Sequence, residues 1–233
     1  MEIKAKKSLG QNFLINPQIV DKIISAAEIN SNDVVLEIGP GTGNLTSELV
    51  KKAGTVIAIE KDRRLIDELK NKFSNVNLIE GDVLKTNISD LITKKYKIIG
   101  NIPYYITSHL IRIIFEEWPK PELIVLTIQK EVAQRIMSGP PDMNLLALSV
   151  QLYSDPKIIS YISKNNFKPQ PKVDSAIIRL VPNPKTDQET IRKVMALAKK
   201  AFAGKRKQLK NTIGIDSTSR PEELSITDWI KLV

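Results

Sequence analysis

Val34-Val35-Leu36-Glu37-Ile38-Gly39-Pro40-Gly41-Thr42-Gly43 decides the fold. An apolar run ends in a glycine-rich turn, and helical spacing resumes over 45–52, so the stretch reads as strand, loop and helix. Working outward, strands are expected over 55–60, 76–80, 98–100 and 123–128, alternating with helices over 64–73, 108–117 and 131–137. Such alternation predicts an α/β fold, a doubly wound and mostly parallel seven-stranded sheet. Two β-rich runs, 158–162 and 176–181, flank the Pro-rich loop Phe167-Lys168-Pro169-Gln170-Pro171 and read as a hairpin closing the far edge. Upstream, Pro17 opens a helix with Ile19, Val20, Ile23, Ile24 and Ala27 at helical spacing. Downstream, a Gly139-Pro140-Pro141 break precedes a helix over 145–152, and Pro182-Asn183-Pro184 reads as a linker. The expected organisation is a main domain over 1–182 and a small basic helical lobe over 183–233.

Composition narrows the chemistry. The 233 residues include no cysteine, which removes disulfides, thiolate zinc sites, iron–sulfur clusters and cysteine nucleophiles together. Base methylation at ring carbon commonly needs a thiolate or a radical cluster, so any methyl transfer here goes directly to a heteroatom. The single histidine, His109, reads as an ordinary helix residue, and no metal site is expected. A net charge of +9 favours a polyanionic partner. There is no apolar run of membrane-spanning length and no secretory leader pattern, so a cytoplasmic protein is expected.

The glycine loop has the spacing G-x-G-x-G rather than G-x-G-x-x-G, and Pro40 intrudes, so it is less suited to seating a pyrophosphate on a helix N-terminus. Two acids sit at successive strand ends. Glu60 is placed to accept ribose hydroxyls, and Asp82, in Glu80-Gly81-Asp82, to bind an adenine amino group. Each also has a plainer reading: Glu60 as a solvated carboxylate, Asp82 as a cap for the next segment. Taken together they ask for an adenosine-bearing cofactor without phosphates, which S-adenosylmethionine fits.

Asn101-Ile102-Pro103-Tyr104 follows the strand at 98–100. An adenine amine is a poor nucleophile because its lone pair is delocalised into the ring. The Asn101 side-chain oxygen and the Ile102 carbonyl can hold both N–H groups and free that lone pair. Pro103 fixes φ and adds no competing donor, and Tyr104 offers a face for base stacking. The alternative is a strand-to-helix turn punctuated by proline.

These segments, with Leu9-Gly10-Gln11-Asn12-Phe13-Leu14 and Phe167-Lys168-Pro169-Gln170-Pro171-Lys172-Val173-Asp174-Ser175, resemble the small-subunit ribosomal RNA adenine dimethyltransferases. That family is related to the macrolide-resistance ribosomal methylases, and the glycine loop belongs to class I, Rossmann-like methyltransferases generally. The resemblance runs over 5–182 and on to Lys210. It implies that Asn12 and Leu14 contact S-adenosylmethionine, with Gly39, Gly41, Glu60, Asp82 and Asn101 completing its site. It also implies that Tyr104 and Phe167 sandwich the target base. Read from the residues alone, Asn12 is a capping residue and Phe167 a loop aromatic packed in the core.

The implied partner is small-subunit rRNA in the assembling small ribosomal subunit, met by a monomer. RNA contacts are expected from Lys199, Lys200, Lys205, Arg206, Lys207 and Lys210, while Val194, Leu197, Ala198, Ala201 and Phe202 leave one side to dock on the main domain. The region after Pro184 is shorter than the family's, which bears on RNA positioning rather than on chemistry. The rival readings are a large-subunit methylase of the resistance type, a non-catalytic assembly or transcription factor on the same fold, and a nicotinamide oxidoreductase.

Overall fold

A computed structural model describes residues 4–204 and 207–233. Its first strand, β1 (Phe13–Leu14), is only two residues long and leads into helix α1 (Pro17–Ala27). Asn16 caps α1 by accepting from the Gln18 N–H at 2.9 Å, and Pro17 stands at the first turn, where its missing donor costs nothing. The spacing of Ile19, Val20, Ile23, Ile24 and Ala27 then buries one stripe. Fully burying a side chain of this size is worth about 1.5–3 kcal/mol each.

Strands and helices alternate from there: β2 (Val34–Ile38), α2 (Thr46–Lys52), β3 (Thr55–Glu60), α3 (Arg63–Lys72), β4 (Val76–Glu80), β5 (Tyr96–Asn101), α4 (Thr107–Glu116) and β6 (Leu123–Gln129). Helices α5 (Lys130–Ile136) and α6 (Leu145–Gln151) follow, then β7 (Ser154–Ile162), β8 (Phe167–Lys168) and β9 (Ser175–Pro182). Helices α7 (Gln188–Ala203) and α8 (Ile226–Lys231) come last. The expected elements occur, with ends shifted by a residue or two except at β7, which starts four residues earlier than the β-rich run.

Seven strands form one sheet in the order β4-β3-β2-β5-β6-β9-β7. The pairs β2–β3, β3–β4, β2–β5 and β5–β6 are parallel, and β9 lies antiparallel to β6. Chain order reverses at β2, between β3 and β5, and ligands of open α/β sheets gather at such a switch point. Along β2, β5 and β6 the residues Val35, Ile99, Leu123 and Val125 join α1 and α2 in one core cluster, while Leu36, Ile98 and Ile124 face the other way, both sets buried. A sheet covered on both faces needs this continuous apolar run.

The two-residue strands were not expected. β1 pairs antiparallel with β8, Phe13 opposite Lys168 and Leu14 opposite Phe167. Asn16 Nδ2 donates to Asn166 Oδ1 at 2.7 Å and the Ile15 N–H to the Asn166 carbonyl at 2.9 Å, so the start of the Pro-rich loop is a strap on the N-terminal segment.

The chain divides into two compact units, one of residues 1–133 with 157–181, the other of 134–156 with 182–233. The second thus gathers 134–156, placed by sequence in the main domain, with the C-terminal helices. Within it α7 buries Ile191, Val194, Met195, Ala198 and Ala201, contacts α6 and α8, and stacks Phe202 on Trp229 at 5.8 Å between ring centroids. Among the described residues no helix is long and apolar enough to cross a membrane.

Candidate active site

The carboxyl ends of β2, β3, β4 and β5 open onto a cleft, where ligands of open α/β sheets bind. It lies within the first unit, and the N-terminal segment 9–14 forms part of its wall. Asn12, Leu14, Gly39, Gly41, Glu60, Asp82, Asn101, Ile102, Pro103 and Tyr104 all line it. Phe167 does not: its ring is 3% exposed, inside the core cluster that holds Leu14.

The glycine loop cradles rather than fills. Gly39 and Gly41 have φ of 69° and 59°, in the left-handed region, and a Cβ on Gly41 would stand 3.0 Å from the Phe13 ring. Beneath the loop, Glu37 is fully buried, and neither of its carboxyl oxygens has a hydrogen-bond partner among the described residues. Burial pushes its pKa up to about 8, only partly offset by the neighbouring Thr46 hydroxyl, so Glu37 is a neutral acid at neutral pH.

Glu60, 7% exposed, is heavily committed. Its Oε1 accepts from the Lys61 and Asp62 N–H groups, both at 2.9 Å, and its Oε2 from Gly41 N–H at 3.2 Å. A carboxylate has about four acceptor sites, so one remains for a ribose hydroxyl. Burial raises its pKa, while these N–H groups pull it back down. Asp82 is the cap that one of its two readings made it, and it also lines the cleft. It caps locally by accepting from the Leu84 N–H at 3.1 Å, lines the cleft, and pairs with Lys61 Nζ at 2.9 Å. Burial pushes its carboxyl up, but Lys61 and the Leu84 N–H hold it below the usual carboxylate range.

At the end of β5, Asn101 Nδ2 donates to the Asn12 carbonyl at 2.9 Å. That bond identifies the nitrogen end of the amide and turns Oδ1 outward. Among the described residues neither Asn101 Oδ1 nor the Ile102 carbonyl accepts a hydrogen bond. The Tyr104 hydroxyl is tied to Ser175 Oγ at 2.6 Å, which holds its ring, and burial raises its pKa. Asn12 caps none of the described helices: its Nδ2 donates to the Gly10 carbonyl at 3.3 Å while its own carbonyl orients Asn101. Asn44 Nδ2 donates to the Leu14 carbonyl at 2.7 Å, fastening β1 to the glycine loop.

Sequence reasoning passed over two residues here, Gln11 and Asp62. Asp62 follows Glu60 by two and could have been read as a helix cap, but its link to Gln11 spans fifty-one positions and leaves no local signal. Of the basic residues expected to meet RNA, Lys199, Lys200, Lys207 and Lys210 are exposed in the second unit, whereas Lys205 and Arg206 lie outside the described residues.

The cleft suits an adenosine-bearing group without phosphates: acids at two strand ends, a left-handed glycine cradle, and a lysine already paired with Asp82. Strand order, switch point and cleft are those of a Rossmann-like methyltransferase. Comparison with known proteins agrees. The ribosomal RNA adenine dimethylase family matches over residues 2–229. A ribosomal RNA small subunit methyltransferase A from Dehalococcoides mccartyi (strain CBDB1) is 41% identical, covering 99% of this chain and 88% of its own. One of the same description from Mycoplasmopsis synoviae (strain 53) is 42% identical over 97% of this chain and 88% of its own. Among solved structures, a dimethyladenosine transferase from Plasmodium falciparum superposes with a TM-score of 0.80 at 30% identity, covering 94% of this chain and 95% of its own. The 23S rRNA methyltransferase ErmE gives 0.77 at 25% identity, covering 94% and 98%. The chain belongs to the ribosomal RNA adenine dimethylase family.

Proposed function

We propose that this methyltransferase dimethylates the exocyclic amino groups of two adjacent adenosines in a hairpin of small-subunit rRNA, acting as a cytoplasmic monomer on the assembling subunit. The observation that carries the reading is the pair of unbonded acceptors, Asn101 Oδ1 and the Ile102 carbonyl, in one cleft with Glu60. The small-subunit target is supported by the descriptions of the relatives from Dehalococcoides and Mycoplasmopsis; ErmE supports the large-subunit rival.

Bound in the cleft, S-adenosylmethionine supplies a methyl group already activated by its sulfonium. Glu60 takes a ribose hydroxyl, Asp82 the adenine amine, and Gly39 and Gly41 let the backbone approach, with Asn12 and Leu14 walling the site. Asn101 Oδ1 and the Ile102 carbonyl accept from the two N–H groups of the target amine and turn its lone pair toward the methyl. Pro103 keeps competing donors out of the turn. No strong base is required, because orientation and exclusion of water carry the catalysis. An uncharged acceptor such as Asn101 also suits a step in which positive charge on sulfur disappears.

Tyr104 stacks on the target base, and the resemblance gives the other face to Phe167, which lies in the core in this structure. Lys199, Lys200, Lys205, Arg206, Lys207 and Lys210 hold phosphates. The test is transfer of labelled methyl from S-adenosylmethionine to purified immature small subunits and, separately, to large-subunit RNA, followed by mass spectrometry of nucleosides. Dimethyladenosine only in the small-subunit reaction is expected. Product only from large-subunit RNA would replace the target, and no product from either would reject the function.

A further inference from the structure

The N-terminal segment reaches the cleft through one acid. Asp62 is 2% exposed, buried where charge must be paired. Its Oδ2 accepts from Gln11 Nε2 at 3.1 Å and from an Arg64 NH2 at 2.7 Å, while Oδ1 accepts from Arg64 Nε at 3.0 Å and Lys6 Nζ at 3.5 Å. Its backbone N–H donates to Glu60 Oε1 at 2.9 Å. Gln11 is used at both ends, since its Oε1 accepts from the Lys6 N–H at 2.7 Å and closes the turn 6–11. The residue after Gln11 is Asn12, whose carbonyl orients Asn101. An unbroken line of bonds and adjacent residues therefore runs from the ribose carboxylate to the acceptor for the target amine: Glu60, Asp62, Gln11, Asn12, Asn101.

We infer that Asp62 is a positioning residue for methyl transfer, holding the N-terminal segment through Gln11 so that Asn12 keeps Asn101 turned toward the substrate amine. The inference rests on the functional reading above and extends it to Asp62, which does not line the cleft, acting through Gln11, which does. Asp62 also caps α3 by accepting from the Arg64 N–H at 3.3 Å. A cap alone would make it purely structural. The two roles separate because Gln11 belongs to the first and not to the second. The segment has a further hold on the cleft: a Cβ on Gly10 would come within 3.2 Å of the Tyr105 ring, so the turn lies close under that ring, and slack at Gln11 is felt at the mouth of the site.

The experiment compares Gln11→Leu and Asp62→Asn with the wild type. It reads melting temperature, hydrogen exchange over residues 7–14 without ligand, S-adenosylhomocysteine affinity by calorimetry, and kcat and KM on the RNA substrate. Gln11→Leu should melt with the wild type, exchange faster over 7–14, and lose between about tenfold and a hundredfold in kcat with KM for RNA unchanged, the loss typical of misplaced groups. Asp62→Asn keeps a good cap and should share the exchange and kcat defects in milder form, since Asn can still accept from Gln11. Wild-type exchange and kcat in Gln11→Leu would overturn the inference, as would an Asp62→Asn defect confined to melting temperature. Exchange in the ligand-free chain tests the anchor itself. Failure of the wild type to bind S-adenosylhomocysteine would count against the cofactor assignment instead, so the two failures are told apart.

Discussion

At the β3 end of the cleft the acids are nearly saturated: Glu60 accepts three backbone N–H groups, and Asp62 is surrounded by Arg64, Gln11 and Lys6. At the β5 end the acceptors are left open, and the one bond made by the Asn101 side chain serves to aim it. The first end is charged and tied down before any ligand arrives, which suits repeated binding of one invariant nucleoside. The second is neutral and sparsely bonded, because a fixed negative charge there would favour the charged sulfonium over a transition state in which that charge disappears. In the proposed function, affinity is built where bonds are many and chemistry where they are few.

The largest effect should come from the sparse end. Asn101→Ala removes an aimed acceptor and should cost about 2–4 kcal/mol of transition-state stabilisation, seen in single-turnover methyl transfer, while calorimetry still finds the cofactor bound. Near wild-type turnover would erase the contrast between the two ends. Glu60→Ala attacks the crowded end, and losing a charged hydrogen-bond acceptor should weaken cofactor binding by about 1.5–3 kcal/mol. Because the same carboxylate ties Gly41 to the β3 loop, the melting temperature should fall as well. A change in affinity without a change in melting would mean the glycine loop does not need that tie.

Tyr104→Ala should lose about 1–3 kcal/mol of base capture, whereas Tyr104→Phe keeps the stack and loses only the Ser175 bond. Phe167→Ala sharpens the picture on the other side. If Phe167 is core, the variant melts early but each folded molecule turns over normally; if it stacks, base capture falls as for Tyr104.

The smallest functional effect is expected at Glu37, beneath the loop. Its pKa rises from 4.5 to about 8 on folding, so the folded chain binds a proton that the unfolded chain releases. The contribution is full below about pH 4.5 and is lost as pH climbs toward 8. Glu37→Gln should flatten melting temperature against pH in that window and melt above the wild type at pH 8.5. Parallel curves would show that Glu37 is ionised and paired.

Much of this was legible in the sequence because the signals are local. Asn101 announced itself as a polar residue at the end of an apolar strand, and Glu60 and Asp82 as acids at successive strand ends. Alternation pointed to a doubly wound, mostly parallel sheet, whereas the order β4-β3-β2-β5-β6 depends on which neighbours pair in space. Two-residue strands carry no period, so the pairing of β1 with β8 had no sequence signature, and the burial of Phe167 beside Leu14 went with it. The grip of Asp62 on Gln11 joins distant residues of unremarkable type. Glu37 was visible as part of a motif, but a carboxyl without a partner is a property of packing alone. The grouping of 134–156 with the C-terminal helices depends on contacts such as that between the Met143 N–H and the Glu222 carbonyl, which no linker composition foretells.

The β1–β8 strap also sets a timetable. It joins Phe13 and Leu14 to Lys168 and Phe167, with most of the chain between them. During synthesis the N-terminal segment emerges first, and the parallel strands β2 to β6 can assemble from near neighbours as they appear. Until β8 has been made, the residues that wall the cleft and aim Asn101 lack the strap and rest on bonds such as those of Gln11 to Asp62 and Asn44 to Leu14, and closing so long a loop is entropically costly. A nascent chain would own the parallel strands of its sheet well before it owned a fully fastened site. An enzyme that modifies ribosomal RNA would therefore stay incompletely fastened beside the ribosome producing it until β8 had been made.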